Sequence, residues 1–132
     1  MAFRIKKKGF TLIELIIVAG IIFALTSIAI PNILKARMAA NDVMAQAALK
    51  TISKALEQYQ IYNDGYPPSP DELRNTQPPY INQDYFTGTH AGFTYSHAIA
   101  AVSYAVTAIP VAIGRTGTTT YTIITGGVFL NN

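Results

Sequence analysis

An α+β fold is predicted for this chain of 132 residues. Its long N-terminal helix is membrane-spanning in the first half, and the second half packs on a small antiparallel β-sheet head. Three observations predict this. From Phe10 to Ile30 only Thr11, Glu14, Thr26 and Ser27 are conventionally polar. Farther on, Ala45, Ala48, Leu49, Ile52, Leu56 and Tyr59 recur at helical steps, with Lys50, Lys54 and Glu57 on another side. Beyond these, Phe93 to Ser96, Ala101 to Ile109 and Thr118 to Thr125 are rich in β-branched and aromatic residues and separated by Gly and Pro signals.

The apolar run comes first. About 20 apolar residues carry a helix across a bilayer core, so the run is long enough to span one. Arg4, Lys6, Lys7 and Lys8 precede it, whereas Lys35 and Arg37 follow it. The excess of positive charge on the N-terminal side holds that end in the cytoplasm and sends the rest across. Glu14 is the anomaly: a charged side chain deep in hydrocarbon costs roughly 2.5 to 3.5 kcal/mol, and such a residue is by default functional. Glu14 stands near enough to the cytoplasmic end to snorkel to the interface. A secretory signal cleaved after the small-x-small segment Ser27-Ile28-Ala29, or an uncleaved signal anchor, reads the same segment differently and would make the rest a periplasmic binding or enzymatic domain. Against the cleaved signal, an ordinary apolar core is about 7 to 15 residues long and has no use for an acid.

Pro31 either ends the first helix or kinks it. A helix from Phe10 to about Tyr62 is about 80 Å long at 1.5 Å per residue. Asn63-Asp64-Gly65 stops it. Ser69 as cap, Pro70 in the first turn and Glu72 three residues after the cap then form a capping box for a short helix to about Asn75. Gln77-Pro78-Pro79-Tyr80 resumes irregular chain. The β-rich segments form an antiparallel sheet of three or four strands, and Gly126-Gly127 before Val128 to Leu130 marks a last hairpin.

Gly9-Phe10-Thr11-Leu12-Ile13-Glu14, preceded by lysines and followed by an apolar run ending in Ile30-Pro31, resembles the N-terminus of type IV pilins and type II secretion pseudopilins. The resemblance implies a structural subunit, not an enzyme, made as an inner-membrane precursor with a cytoplasmic N-terminus. A prepilin peptidase would cut between Gly9 and Phe10 and methylate the new N-terminus on Phe10. Glu14 would serve assembly, meeting the freed ammonium of a neighbour's Phe10. The implied divisions are a basic leader (1–9), a transmembrane and assembly helix (10–31), its soluble half (32–62) and a loop region with sheet head (63–132). The implied partners are further copies and related minor subunits in a homopolymer, an inner-membrane assembly platform with its ATPase, and membrane lipid. The product would be a periplasmic or cell-surface filament. Many members have a helix-loosening glycine where this sequence has Phe23, with Gly20 three positions earlier, so Gly20 and Pro31 are the candidate kinks.

Charge and composition narrow the alternatives. The chain has ten basic and seven acidic residues. Four of the ten precede Gly9, leaving six basic against seven acidic side chains, a net −1. Nucleic-acid binding through bulk charge therefore loses its support. With no cysteine there is no disulfide, and the C-terminal region holds by packing alone. His90 and His97, the only histidines, have no cysteine or acidic cluster beside them, so no zinc site and no cofactor are expected. Asp71, Glu72 and Asp84 are too scattered for a calcium loop. Gly114-Arg115-Thr116-Gly117 lacks the Gly-Lys-Ser/Thr ending of a P-loop and reads as a strand connection. Tyr59, Tyr62, Tyr66, Tyr80 and Tyr85 read as packing residues of the head.

Overall fold

A computed structural model describes residues 9–131; the basic residues Arg4, Lys6, Lys7 and Lys8 lie outside them. The elements are α1 (Leu12–Asn63), α2 (Glu72–Asn75), β1 (Phe93–Ala100), β2 (Ser103–Pro110), β3 (Tyr121–Ile124) and β4 (Val128–Asn131). The fold class is the α+β one expected. Helix α1 has 52 residues and contains Pro31, so the proline does not end it. Two compact units divide between Lys35 and Ala36.

In the first unit the helix is uncovered. Leu12 is 76% exposed and Phe23 74%, although this segment is long and apolar enough to cross a membrane. Its polar side chains turn inward on the helix itself. Thr26 Oγ1 donates to the carbonyls of Ile22 (2.9 Å) and Phe23 (3.1 Å), and Ser27 Oγ donates to Ala24 O (2.8 Å). A helix that satisfies its own polar groups is the form a spanning segment requires.

The second unit is a helix on a sheet. The strands form an antiparallel meander in the order β1-β2-β3-β4. Because side chains alternate across a strand, the register sorts them into two faces. Tyr95, Ala108 and Tyr121 share one row, and Val106 and Ile123 another. These rows join Ala45, Ala48, Leu49, Ile52, Ala55 and Leu56 of α1 in a single buried cluster. The alanines keep that face of the helix narrow, and each buried Leu, Ile or Phe contributes about 1.5 to 3 kcal/mol. The opposite face carries the rows Ser96–Thr107–Thr122–Leu130 and Ala98–Ala105–Ile124–Val128.

The expected strands are all present, with shifted ends. Strand β1 runs four residues past Ser96, and Ala101 and Val102 form the β1–β2 turn because Ala100 pairs with Ser103. Gly126 and Gly127, at φ +81° and +73°, supply the left-handed turn between β3 and β4. The capping box expected at Ser69 does not form. Helix α2 begins at Glu72 with Asp71 as its N-cap and no side-chain cap bond; Ser69 Oγ accepts from Asp71 N at 3.3 Å, and the Glu72 carboxylate accepts from Tyr59 Oη at 2.7 Å.

Four polar side chains fasten α1 to the sheet unit. Asp42, only 7% exposed, accepts from Thr118 N (3.0 Å) and Thr118 Oγ1 (2.6 Å). Asn41 Nδ2 donates to Thr116 O at 2.8 Å. Ser53 and Tyr104 share a buried hydroxyl hydrogen bond of 2.7 Å. Glu57 corrects the sequence reading, which set it on the polar side with the two lysines. It is half-buried and its carboxylate accepts from Tyr104 Oη (3.0 Å), Tyr66 Oη (3.2 Å) and Gly126 N (2.8 Å). Gly117 has no room for a side chain, since a Cβ there would stand 2.3 Å from Phe93 Cζ.

Replacing Asp42 with alanine should remove both charge-assisted hydrogen bonds that tie α1 to Thr118 and cost about 1 to 3 kcal/mol. Gly117→Ala should cost about as much by overpacking. Each should lower the thermal midpoint of the detergent-solubilised protein by roughly 4 to 8 °C per kcal/mol, followed by near-UV circular dichroism. Exposed Gln60→Ala should change stability by no more than about 0.5 kcal/mol.

Burial, reinforced by the Glu57 carboxylate, pushes the Tyr66 hydroxyl up to about 12, and burial does the same to Tyr95. A folded-state value above the unfolded one of about 10 means that the native state holds its protons longer. Stability should therefore be flat up to about pH 9.5 and fall between about pH 10 and pH 12. Tyr66→Phe should make that fall shallower, as read from denaturant midpoints across the range.

Candidate functional site

The residues singled out in the sequence lie at the start of α1. Gly9 and Phe10 precede the helix, outside any element and exposed, and Phe10 is 85% exposed. Thr11 stands just before the first helical residue. Thr11 N and Thr11 Oγ1 both donate to Glu14 Oε2 at 2.8 Å, and Glu14 N donates to Thr11 Oγ1 at 3.3 Å. This is a reciprocal capping box, the arrangement in which a Thr cap and a Glu three residues later satisfy each other's backbone donors. The pattern Thr-x-x-Glu stands in the sequence, beside the burial cost of the acid and the pull of a neighbour's charge. Its first partner is its own helix terminus.

The box spends only one carboxylate oxygen. Among the described residues Glu14 Oε1 has no hydrogen-bond partner. Thr26 and Ser27 give their hydroxyl protons to their own helix, so Oε1 is the charged acceptor of the run left open among the described residues. The position is favourable for a negative charge, because the helix N-terminus carries a partial positive charge. An incoming ammonium would complete a charge-assisted hydrogen bond. Gly20 and Pro31 both lie within α1.

The remaining candidates are placed in the second unit. His90 lies in the loop before β1, between Gln83 Nε2 at 3.2 Å and Thr87 O at 3.1 Å. His97 is an exposed residue of β1 and meets the Phe86 ring edge-on, with ring centroids 4.9 Å apart. Among the described residues no three His, Cys, Asp or Glu side chains come together as a metal site would need. Asp84 is engaged by Arg74 at 2.7 Å, with Asp71 at 4.0 Å from the same guanidinium. Hydrogen bonds from Thr87 and Phe86, together with Arg74, hold the Asp84 carboxyl below the usual range. The Gly114 to Gly117 segment is the β2–β3 connection, as expected. The tyrosines divide into separate pairs, Tyr59 with Tyr80 and Tyr85 with Tyr95, while Tyr66 packs on Tyr104. Tyr62 alone of the five stands out in solvent, at 78% exposure. It borders a groove of about 630 Å³ with Tyr80, Pro78 and the amides of Gln58, Asn63 and Gln77, and no carboxylate, imidazole or amine lines it.

Residues 4–30 match the family model described as "Prokaryotic N-terminal methylation motif". The chain is 52% identical over 59 residues to the type IV wide pilus major component PilA4 of Thermus thermophilus, covering 45% of each chain. It is 30% identical over 89 residues to the type II secretion system core protein G of Pseudomonas aeruginosa, covering 61% of this chain and 63% of that one. The protein of the same name in Escherichia coli is 34% identical over 62 residues, covering 47% of this chain and 43% of its own. The chain thus spans between 43% and 63% of the length of these relatives. No solved structure matches it. Its N-terminal segment carries the methylation motif, and over 45% to 61% of its length the chain is similar to type IV pilus and type II secretion system proteins.

Proposed function

We propose that this chain is the structural subunit of a type IV pilus or type II secretion pseudopilus, polymerised through the first part of α1. The single observation that carries the reading is the Glu14 carboxylate. One oxygen caps its own helix and the other is open, in a helix whose apolar sides none of the described residues covers. In lipid the hydrocarbon covers those sides; in a filament the equivalent helices of other copies do. The precursor is a single-pass inner-membrane protein with residues 1–9 in the cytoplasm. A prepilin peptidase cuts after Gly9 and methylates Phe10, and an ATPase-driven platform moves subunits into the filament with minor subunits of the same kind. N-methylation leaves the amine positive. The Phe10 ammonium of one subunit then meets Glu14 of its neighbour, and register is set by a pair that is strongly unfavourable when half made in apolar surroundings. Gly20 and Pro31 are the places where α1 bends or loosens as copies pack. The role is assembly, without catalysis.

Two measurements test this. The membrane-extracted protein should begin at N-methyl-Phe10 by N-terminal peptide mass; a mature chain beginning at Ile30, with none at Phe10, refutes the reading. Glu14→Val and Glu14→Gln should both leave insertion and cleavage intact and shift the subunit from the sheared filament fraction to the membrane fraction. Glutamine retains the capping interaction but not the charge. Normal filament yield with glutamine would reduce Glu14 to a cap and remove the assembly role.

A further inference from the structure

The groove of about 630 Å³ beside the C-terminal end of α1 has no part in the assembly role, and its volume is that of a small-molecule site. One wall is fixed. The Tyr80 ring meets Tyr59 edge-on at 5.7 Å, the Tyr59 hydroxyl donates to Glu72 at 2.7 Å, and Tyr80 N donates to Leu73 O at 2.8 Å. The other wall is bare. Tyr62 is 78% exposed, and Gln58 stands one helical turn before it, on the same face of α1. Among the described residues the side chains of Gln58, Tyr62 and Gln77 make no hydrogen bond. Asn63 commits one N–H to Tyr59 O at 3.0 Å and keeps its carbonyl oxygen. Thr76 lines the same groove, and its Oγ1 is the buried side-chain oxygen without a hydrogen-bond partner among the described residues. Native structures leave few such groups, so a partner for this one comes from outside the chain.

The chemistry of the walls selects the ligand. No charged side chain lines the groove, so an anion finds no cation and a metal ion finds no carboxylate. A wholly apolar ligand would cover the amides and leave them unpaired. A proline-rich peptide suits aromatic grooves, but each proline lacks an N–H, and the carbonyl oxygens of Gln58, Asn63 and Gln77 would go without donors. A neutral sugar meets every requirement. Its C–H face carries partial positive charge and lies against the negative face of an aromatic ring. Its adjacent hydroxyls donate and accept together, as each amide does through its NH2 and C=O.

We propose that the groove formed by Gln58, Tyr62, Asn63, Thr76, Gln77 and Tyr80 is a binding site for a neutral saccharide, stacked on the tyrosines and held through its hydroxyls by the amides. The site lies within residues 58–80 of one chain, so it stands apart from the filament reading. It is tested by saturation-transfer NMR on the full chain in a detergent without a sugar headgroup, with cellohexaose, maltohexaose and chitohexaose as probes and an oligoproline peptide beside them. At least one hexaose should saturate at roughly 0.1 to 10 mM, the affinity of an open groove with few polar anchors, and equally at high salt, because no charge is screened. Tyr62→Ala should weaken that binding roughly tenfold. Gln58→Ala and the isosteric Thr76→Val should each weaken it roughly fivefold, while Gln60→Ala, outside the groove, should bind as wild type. Near-UV circular dichroism checks that each variant keeps its fold, and the exposure of Tyr62 and Gln58 makes their truncation structurally mild. Failure of all three sugars to bind, tighter binding of the oligoproline, or wild-type affinity in Tyr62→Ala would each overturn the proposal.

Discussion

A helix that satisfies its own backbone while leaving apolar side chains bare on every side must be covered by something outside its own chain. That constraint governs the first unit of this protein. Thr26 and Ser27 donate to carbonyls of their own helix, and Thr11 and Glu14 close its first turn. What is left is hydrocarbon surface with one open carboxylate oxygen as its charged acceptor. Hydrocarbon surface is indifferent to whether lipid or another helix covers it, because lipid tails are as apolar as leucine. In the function proposed above, a subunit would therefore pass from membrane to filament at small net cost, with the carboxylate as the group that distinguishes the two environments.

The second half of α1 solves the opposite problem. From Asp42 onward the helix has a sheet of its own to cover one stripe, and the alanines of that stripe keep the sheet close. Hydrophobic burial sets the packing, while Asp42, Ser53 and Glu57 fix where along the helix the sheet sits. Each accepts or shares hydrogen bonds from a different part of the chain: the β2–β3 loop, strand β2, and the β3–β4 turn with Tyr66. Sliding α1 by one turn would strand these groups in an apolar interior, which costs more than losing the bonds alone. With no cysteine in the chain, these polar fastenings hold the sheet in register where a disulfide is impossible.

The helix, the sheet and the N-terminal motif were legible because each rests on periodicity or on a short spaced pattern. The stripe from Ala45 to Leu56 is buried as its spacing implied, and Gly126-Gly127 forms the last hairpin. Hydrogen-bond partners distant in sequence were less legible. Glu57 follows two lysines on the helix and reads as solvated, yet its carboxylate meets a glycine 69 residues away. Asp42 could have been found: it falls in phase with Ala45, Leu49, Ile52 and Leu56, so an acid on that stripe announces a buried partner. The capping box at Thr11 was equally open to reading, as was the failure of the one at Ser69, where Tyr59 competes for Glu72. Local patterns define what a side chain can bond, and tertiary neighbours decide which bond it makes.

The central claim is that the open oxygen of Glu14 is filled by the N-terminal amine of another copy. A helical reconstruction of the filament by electron cryo-microscopy, at a resolution that shows side chains, measures this directly. The account predicts the methylated Phe10 nitrogen of one subunit within about 3 Å of Glu14 Oε1 of a neighbour, the distance of a charge-assisted hydrogen bond, with Thr11 still on Oε2. A Phe10 amine that bonds within its own subunit, or stands more than about 6 Å from every Glu14 of its neighbours and so beyond the reach of a direct ion pair, would contradict it.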